Sequence, residues 1–246
     1  METRLSLDIL PQPDEITCGP TCLHAVYRYY GEDISLEQVI SEVPMLEGGG
    51  TLGVWLACHA LKKGYRVTLY TYKLQLFDPT WLAPGGPDIC ERLRAQLEYK
   101  KVPKLRTATE AYLEFFRLGG KLRLADLTSA LIRRYLKRQL PIITGLSATF
   151  LYRSPREIGP NCDYDDIRGE PSGHFVVLCG YDQNNREVLV ADPLYTNPLC
   201  AGQKYRSPIA RVINSILLGV LTFDGNLIII EPLRMHKENY AESDRC

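Results

Sequence analysis

A surplus of charge of either sign is what this sequence most plainly lacks: 29 Lys and Arg balance 29 Asp and Glu. Zero net charge argues against a generic nucleic-acid binder, which needs a basic surface to meet phosphates, so no nucleic-acid partner is expected. Long apolar runs are also missing. The longest fall far short of the ~20 residues of a membrane-spanning helix, so no transmembrane segment is expected. No Walker-type glycine-rich loop, internal repeat or low-complexity segment occurs. No basic start followed by an apolar stretch and a small-residue cleavage site opens the chain. Histidine is scarce, with 4 in 246 residues. Cys18, Cys22 and His24 lack the second ligand pair of a zinc site, and on a helix His24 points away from the two thiols, so no metal is expected. His59 follows Cys58 in an apolar helix and reads as a satisfied or surface histidine, and His236 lies in a polar tail.

Cysteine is present but does not read as a disulfide scaffold in a chain this long. Cys22, Cys58 and Cys179 fall within apolar periodic segments, where a reduced cysteine packs as a small hydrophobe. Cys246 is expected at the surface. A reducing cytoplasm is the expected compartment.

A hydrophobic content of 45% supports a sizeable core. The pattern reads as one α+β domain over residues 1–246. Leu5, Leu7 and Ile9 alternate as a short strand, and a helix runs from Cys18 through Leu23, Val26 and Tyr30. Ser35 opens a short helix that Pro44 stops. Gly48 to Thr51 turn into a helix carrying Leu52, Trp55, Leu56 and Ala60, and a strand covers Tyr65 to Tyr72. Pro79, Pro84, Gly85, Gly86 and Pro87 break the pattern. Helical periods follow at 88–100, 107–118 and 124–138, making a helical insert of about 78–138. A strand at 140–145 precedes a hairpin of two apolar strands, 173–178 and 187–191, turned through Asp182 to Asn185. Ser207-Pro208 begins another helix, and strands near 218–223 and 226–231 close the sheet.

Charge is distributed unevenly. Residues 91–138 hold 13 Lys/Arg against 5 Asp/Glu, whereas residues 1–50 hold 2 against 9. The basic insert is therefore a candidate surface for a protein partner, set against the plainer reading of solvated helix faces. The polar stretch 153–172, rich in turn formers, has the length of a lid or binding loop. Its Asp163, Asp165 and Asp166 match no calcium-loop spacing.

The chemistry concentrates in Gln12-Pro-Asp-Glu-Ile-Thr-Cys-Gly-Pro-Thr-Cys-Leu-His24. Cys18 falls at the first turn of the first helix, with Thr17 as N-cap candidate and Pro20 early in the helix, where proline is tolerated. Unpaired N–H groups and the macrodipole favour a thiolate there. Gln12, six residues upstream, can supply an amide donor near the same sulfur. His174 opens one strand of the hairpin and Asp192 ends the other, so the histidine can face Cys18 while the aspartate holds its second ring nitrogen. That is the nucleophile, base and orienter arrangement of thiol acyl transfer.

Gln12, Cys18-Gly19, the helix ending Tyr29-Tyr30-Gly31, Gly173-His174-Phe175-Val176-Val177 and Asp192-Pro193 resemble, in order, the motifs of the double-glycine leader peptidases, cysteine peptidase family 39-like proteins of the papain-like clan. The resemblance covers roughly residues 8–76 and 138–232. It implies a papain-like cysteine peptidase fold, with an N-terminal helical part carrying the nucleophile packed on an antiparallel sheet that carries His and Asp. It also implies Cys18 as nucleophile, His174 as base, Asp192 as orienter and Gln12 in the oxyanion hole, a peptide or protein substrate, and no cofactor. Family members that process leaders are usually fused to an exporter; without a Walker loop or membrane span here, leader processing does not carry over. The expected activity is a thiol-dependent peptidase or amidase. A transpeptidase or acyltransferase would use the same thioester, and a non-catalytic peptide-binding module is a further alternative.

Overall fold

The computed structural model describes residues 2–159, 161–222 and 225–233; His236 and Cys246 lie outside them. In chain order the elements are β1 (Glu2–Arg4), α1 (Cys18–Tyr29), α2 (Leu36–Glu42), α3 (Gly53–Lys62), β2 (Arg66–Thr71), α4 (Ile89–Tyr99), α5 (Pro103–Arg117), β3 (Lys121–Arg123), α6 (Ser129–Leu136), β4 (Ile142–Ser147) and α7 (Ala148–Tyr152). There follow β5 (Glu157–Ile158), β6 (Asp163–Tyr164), β7 (Gly173–Asp182), β8 (Glu187–Ala191), β9 (Lys204–Pro208), α8 (Ile209–Leu218) and β10 (Asn226–Glu231).

The main sheet runs β3-β2-β10-β4-β7-β8-β9, with β1 added beside β7. All its pairings are antiparallel except β2 with β3. This is the α+β architecture expected. Every residue of β4 is buried, which requires cover on both faces and explains why the strand reads as an unbroken apolar run. Helices α1 and α3 pack against β7, β4, β2 and β10, while α6 and α8 pack against β4, β7 and β8.

The section between the cysteine and histidine halves is not wholly helical. Helices α4, α5 and α6 form, but Lys121 to Arg123 make β3, which joins the sheet edge parallel to β2 with Thr68 opposite Lys121. Only three residues long and preceded by Gly119-Gly120, this strand carries no readable period. An edge strand bearing Lys121 and Arg123 is protected against further pairing. Phe77, Tyr112 and Phe115 stack edge-to-face at 4.7 and 6.2 Å and tie the section to the core. Several of its cations serve the fold internally. The Arg133 guanidinium lies over the Tyr181 ring at 5.4 Å, Arg134 donates to the Tyr70 hydroxyl at 2.9 Å, and Arg138 pairs with Glu231 at 2.7 Å.

Two local expectations differ from the structure. The apolar run near 218–223 is not a strand: α8 extends to Leu218 and a 3-10 turn covers Gly219–Thr222. A Cβ on Gly219 would lie 2.9 Å from the Leu146 backbone, so the turn packs flat on β4, and Gly225 at φ +72° redirects the chain into β10. An apolar run this short is ambiguous between helix and strand by period alone. Leu5, Leu7 and Ile9 are buried as their alternation requires. The ladder, however, forms one step earlier, over Glu2–Arg4 against Asp182–Gly180.

Candidate active site

Helix α1 begins at Cys18, and ten of its twelve residues are buried. A helix apolar on every side belongs in a core, and this one lies against Thr51, just ahead of α3, and against β7 closely enough to demand glycine behind the cysteine. A Cβ on Gly19 would stand 2.5 Å from Thr51 Cγ2 and 3.3 Å from the Phe175 ring. Gly19→Ala is therefore expected to cost about 1–3 kcal/mol by overpacking, read as a lower urea midpoint with an unchanged slope. Thr17 occupies the N-cap position but does not cap with its side chain. Its φ of −100° and ψ of 15° depart from the extended conformation that aims a cap, and its buried hydroxyl has no partner.

His174 enters from β7, opposite Leu146 of β4. The hairpin forms as the spacing predicts, with Asp182 opposite Glu187 and the Asp182 carboxylate accepting from the Asn184 and Asn185 N–H groups at 2.9 and 3.3 Å. This carries Asp192 to the end of β8 beside His174, where His174 Nε2–H donates to Asp192 Oδ1 at 2.8 Å. Asp192 is fully buried, and three further groups donate to it. The Leu194 N–H reaches Oδ1 at 2.9 Å, and the Tyr152 and Tyr205 hydroxyls reach Oδ2 at 2.7 and 2.8 Å. Burying a carboxylate is costly unless its lone pairs are met, and here they are.

The electrostatics follow. Burial alone would pull the His174 pKa down, but the Asp192 charge and hydrogen bond, with Cys18 acting on the same ring, push it up to about 10. Burial raises the Asp192 pKa, and the His174 charge, its hydrogen bond, and those of Tyr152 and the Leu194 N–H bring it below the usual carboxylate value. Both directions favour the charged pair of imidazolium and carboxylate.

Gln12 is drawn to the same place by its backbone, whose N–H donates to the Pro193 carbonyl at 2.9 Å. Its side-chain Nε2 donates to the Asp14 carbonyl at 2.7 Å, and its buried Oε1 has no partner. Cys18, His174 and Asp192 thus converge, with Gln12 anchored one residue beyond Asp192 and one of its amide hydrogens engaged locally. Tyr152 and Tyr205 had no signal in the sequence beyond the general requirement that a buried carboxylate find donors.

The other candidates resolve as packing. Cys22 donates to the Phe175 carbonyl at 3.2 Å, and its burial, followed by the nearby Cys18 and Asp192 charges, raises its pKa well above the ordinary thiol value. Cys58 and Cys179 are buried as expected. His59 lies between the Tyr27 hydroxyl at 2.7 Å and Glu42 at 2.9 Å, and His24 Nε2 meets the Ile34 carbonyl at 3.1 Å. In the 153–172 stretch β5 and β6 form a small sheet of their own. There Asp165 is held by Arg168 at 2.6 Å and by the N–H groups of Ile167 and Arg168. Among the described residues no group of three or more His, Cys, Asp or Glu could hold a metal ion, and no helix is long and apolar enough to cross a membrane.

Residues 101–211 match the Peptidase_C39 like family. The match includes His174 and Asp192, and also 101–137, a stretch that the motif resemblance left out. No curated protein matches the chain. A putative C39-like peptidase from Bacillus anthracis superposes with a TM-score of 0.50 at 14% identity, covering 94% of this chain and 97% of that one. A double glycine motif protease from an AMS/PCAT transporter, crystallised with the leader peptide, gives a TM-score of 0.45 at 16% identity over 94% of each chain. Xylellain, a cysteine protease from Xylella fastidiosa, gives 0.43 at 12% identity over 95% of this chain and 86% of that one. The chain is thus similar to the C39-like peptidases over residues 101–211 and shares the fold of the putative C39-like peptidase from Bacillus anthracis.

Proposed function

We propose that this protein is a thiol-dependent peptidase or amidase working through Cys18, His174 and Asp192. The observation that carries the reading is the buried 2.8 Å hydrogen bond between His174 and Asp192, with Cys18, at a helix start, acting on the same ring. With Nε2 committed to Asp192, Nδ1 is the ring nitrogen that serves Cys18.

In this reading the Cys18 sulfur bonds to an amide carbonyl carbon. The oxyanion is held by the Cys18 backbone N–H and the amide hydrogen that Gln12 has not spent on Asp14. His174 gives its proton to the departing amine as the C–N bond breaks, leaving a thioester on Cys18. Water, deprotonated by His174, then releases the acid; an amine acceptor would make the same thioester a transpeptidase or acyltransferase intermediate. The family match supports a peptide substrate. A reducing compartment such as the cytoplasm suits a site that depends on a free thiol.

The test is the rate of Cys18 alkylation by iodoacetamide across pH 4–9, followed by peptide mass. Wild type is expected to label rapidly at pH 5–6, below the range in which an ordinary thiol reacts, and His174→Ala to label at least ~10-fold more slowly there. Equal rates in the two proteins would refute an activated pair.

A further inference from the structure

Asp192 carries more donors than orientation of an imidazole requires. One oxygen, Oδ1, already takes the ring N–H and a backbone N–H. The other accepts two tyrosine hydroxyls brought from separate places, Tyr152 at the end of α7 and Tyr205 in the edge strand β9. Both rings are buried, at 8% and 7% exposure, so phenylalanine would fill either site equally well and the hydroxyls call for a reason of their own. Tyr152 also packs against the His174 ring, with centroids 6.1 Å apart.

Its helix is short but fixed. The Ser147 hydroxyl accepts from the Phe150 N–H at 3.3 Å, and Thr149 accepts from the Ser172 N–H at 3.0 Å. Both ends of the 153–172 excursion are thereby tied within a few residues of His174. The ionisable groups that bear on Asp192 are His174 from β7, Tyr152 from α7, Tyr205 from β9 and Cys22 from α1. Cys18 and Cys200 stand one contact further out, on His174 and Tyr205. His174 alone among these is cationic, so the two hydroxyls are what remains to keep Oδ2 charged.

We infer that Tyr152 and Tyr205 are positioning residues for the Cys18 chemistry, a pair of hydroxyls that hold Asp192 ionised and aimed at His174. The inference rests on the function proposed above. A hydrogen bond to the charged form of an acid favours that form. Without the hydroxyls Asp192 takes a proton at higher pH, the imidazolium loses its partner, and the thiolate it supports goes with it. The clamp thus extends the working range of the site toward acid.

Tyr152→Phe and Tyr205→Phe remove one hydroxyl each and keep the ring. Cys18 alkylation measured against pH is expected to show the acid limb moving up by about one pH unit in each variant. A purely structural role would lower the melting temperature and leave the limb where it is. The side-chain ¹⁵N shifts of His174 across the same pH range give a reading that needs no reagent, and are expected to show the ring losing its acid-side environment at correspondingly higher pH. Limbs superimposed on wild type in both variants, with labelling still dependent on His174, overturn the clamp alone. Labelling independent of His174 in wild type overturns both the clamp and the reading beneath it.

Discussion

Cys18→Ala is expected to reduce peptide turnover about 10⁴–10⁶-fold, while the protein remains folded and still binds peptide. Removing the nucleophile of such a triad leaves only the oxyanion donors and binding contacts, and the loss matches that of removing the whole triad. The fold tolerates the change because Cys18 is small, occupies the first helical position, and lies beside a glycine that already lets α1 approach Thr51 and Phe175. The measurement pairs steady-state cleavage of a peptide library with peptide binding to the variant. Product at the wild-type rate from Cys18→Ala would eliminate the thiol mechanism. Equal binding by both proteins and turnover by neither would make the chain a peptide-binding module on a peptidase scaffold.

How far the sequence could be read differs from residue to residue, for physical reasons. Cys18, His174 and Asp192 were legible because their chemistry restricts residue type and their spacing restricts placement. A cysteine at a helix start, a histidine opening a strand and an aspartate closing its hairpin partner have few other reasons to coincide. The hairpin was legible because Asp182, Asn184 and Asn185 are turn formers that bond to one another locally. Tyr152 and Tyr205 were not, since they reach Asp192 from 40 and 13 residues away and stand among 15 tyrosines with nothing to mark them. Gln12 was placed by its proximity to Cys18, whereas what anchors its backbone is the Pro193 carbonyl on the other side of the fold. The strand β3 and the turn at Gly219–Thr222 escaped for a different reason: tertiary packing on β2 and β4 decides their conformation, and neither run is long enough to carry a period of its own.

Asp192→Asn is the second large effect, expected to lower turnover by up to about 10⁴-fold where the amide turns and imposes the wrong tautomer, and to change how stability depends on pH. An asparagine here offers one oxygen where the carboxylate offers two. If the oxygen faces His174, the amide nitrogen meets two tyrosine hydroxyls that donated to the carboxylate and must now turn their protons away to accept. If the amide turns, its N–H groups confront Nε2 and the Leu194 N–H, and the ring must carry its proton on Nδ1, the nitrogen needed as base. The first arrangement keeps the tautomer once the hydroxyls turn to accept, and loses only the charge that holds the imidazolium; the second loses the tautomer as well. Removing the charge also strands a buried imidazolium, and loss of one partner of a buried pair typically costs about 3–5 kcal/mol. His174, raised to about 10 in the folded protein, contributes stability that is whole below its unfolded value of about 6.5 and is lost as pH climbs through 10. Asp192, held low, contributes stability present above about 3.9 and lost as pH falls through its depressed folded value. Urea unfolding of wild type and variant should therefore differ most between about pH 4 and 6.5. The gap should narrow toward pH 10 and again in stronger acid. A gap that stays constant across that range would show that His174 and Asp192 are not an ion pair in the folded protein, and with that the proposed thiol mechanism would lose its electrostatic basis.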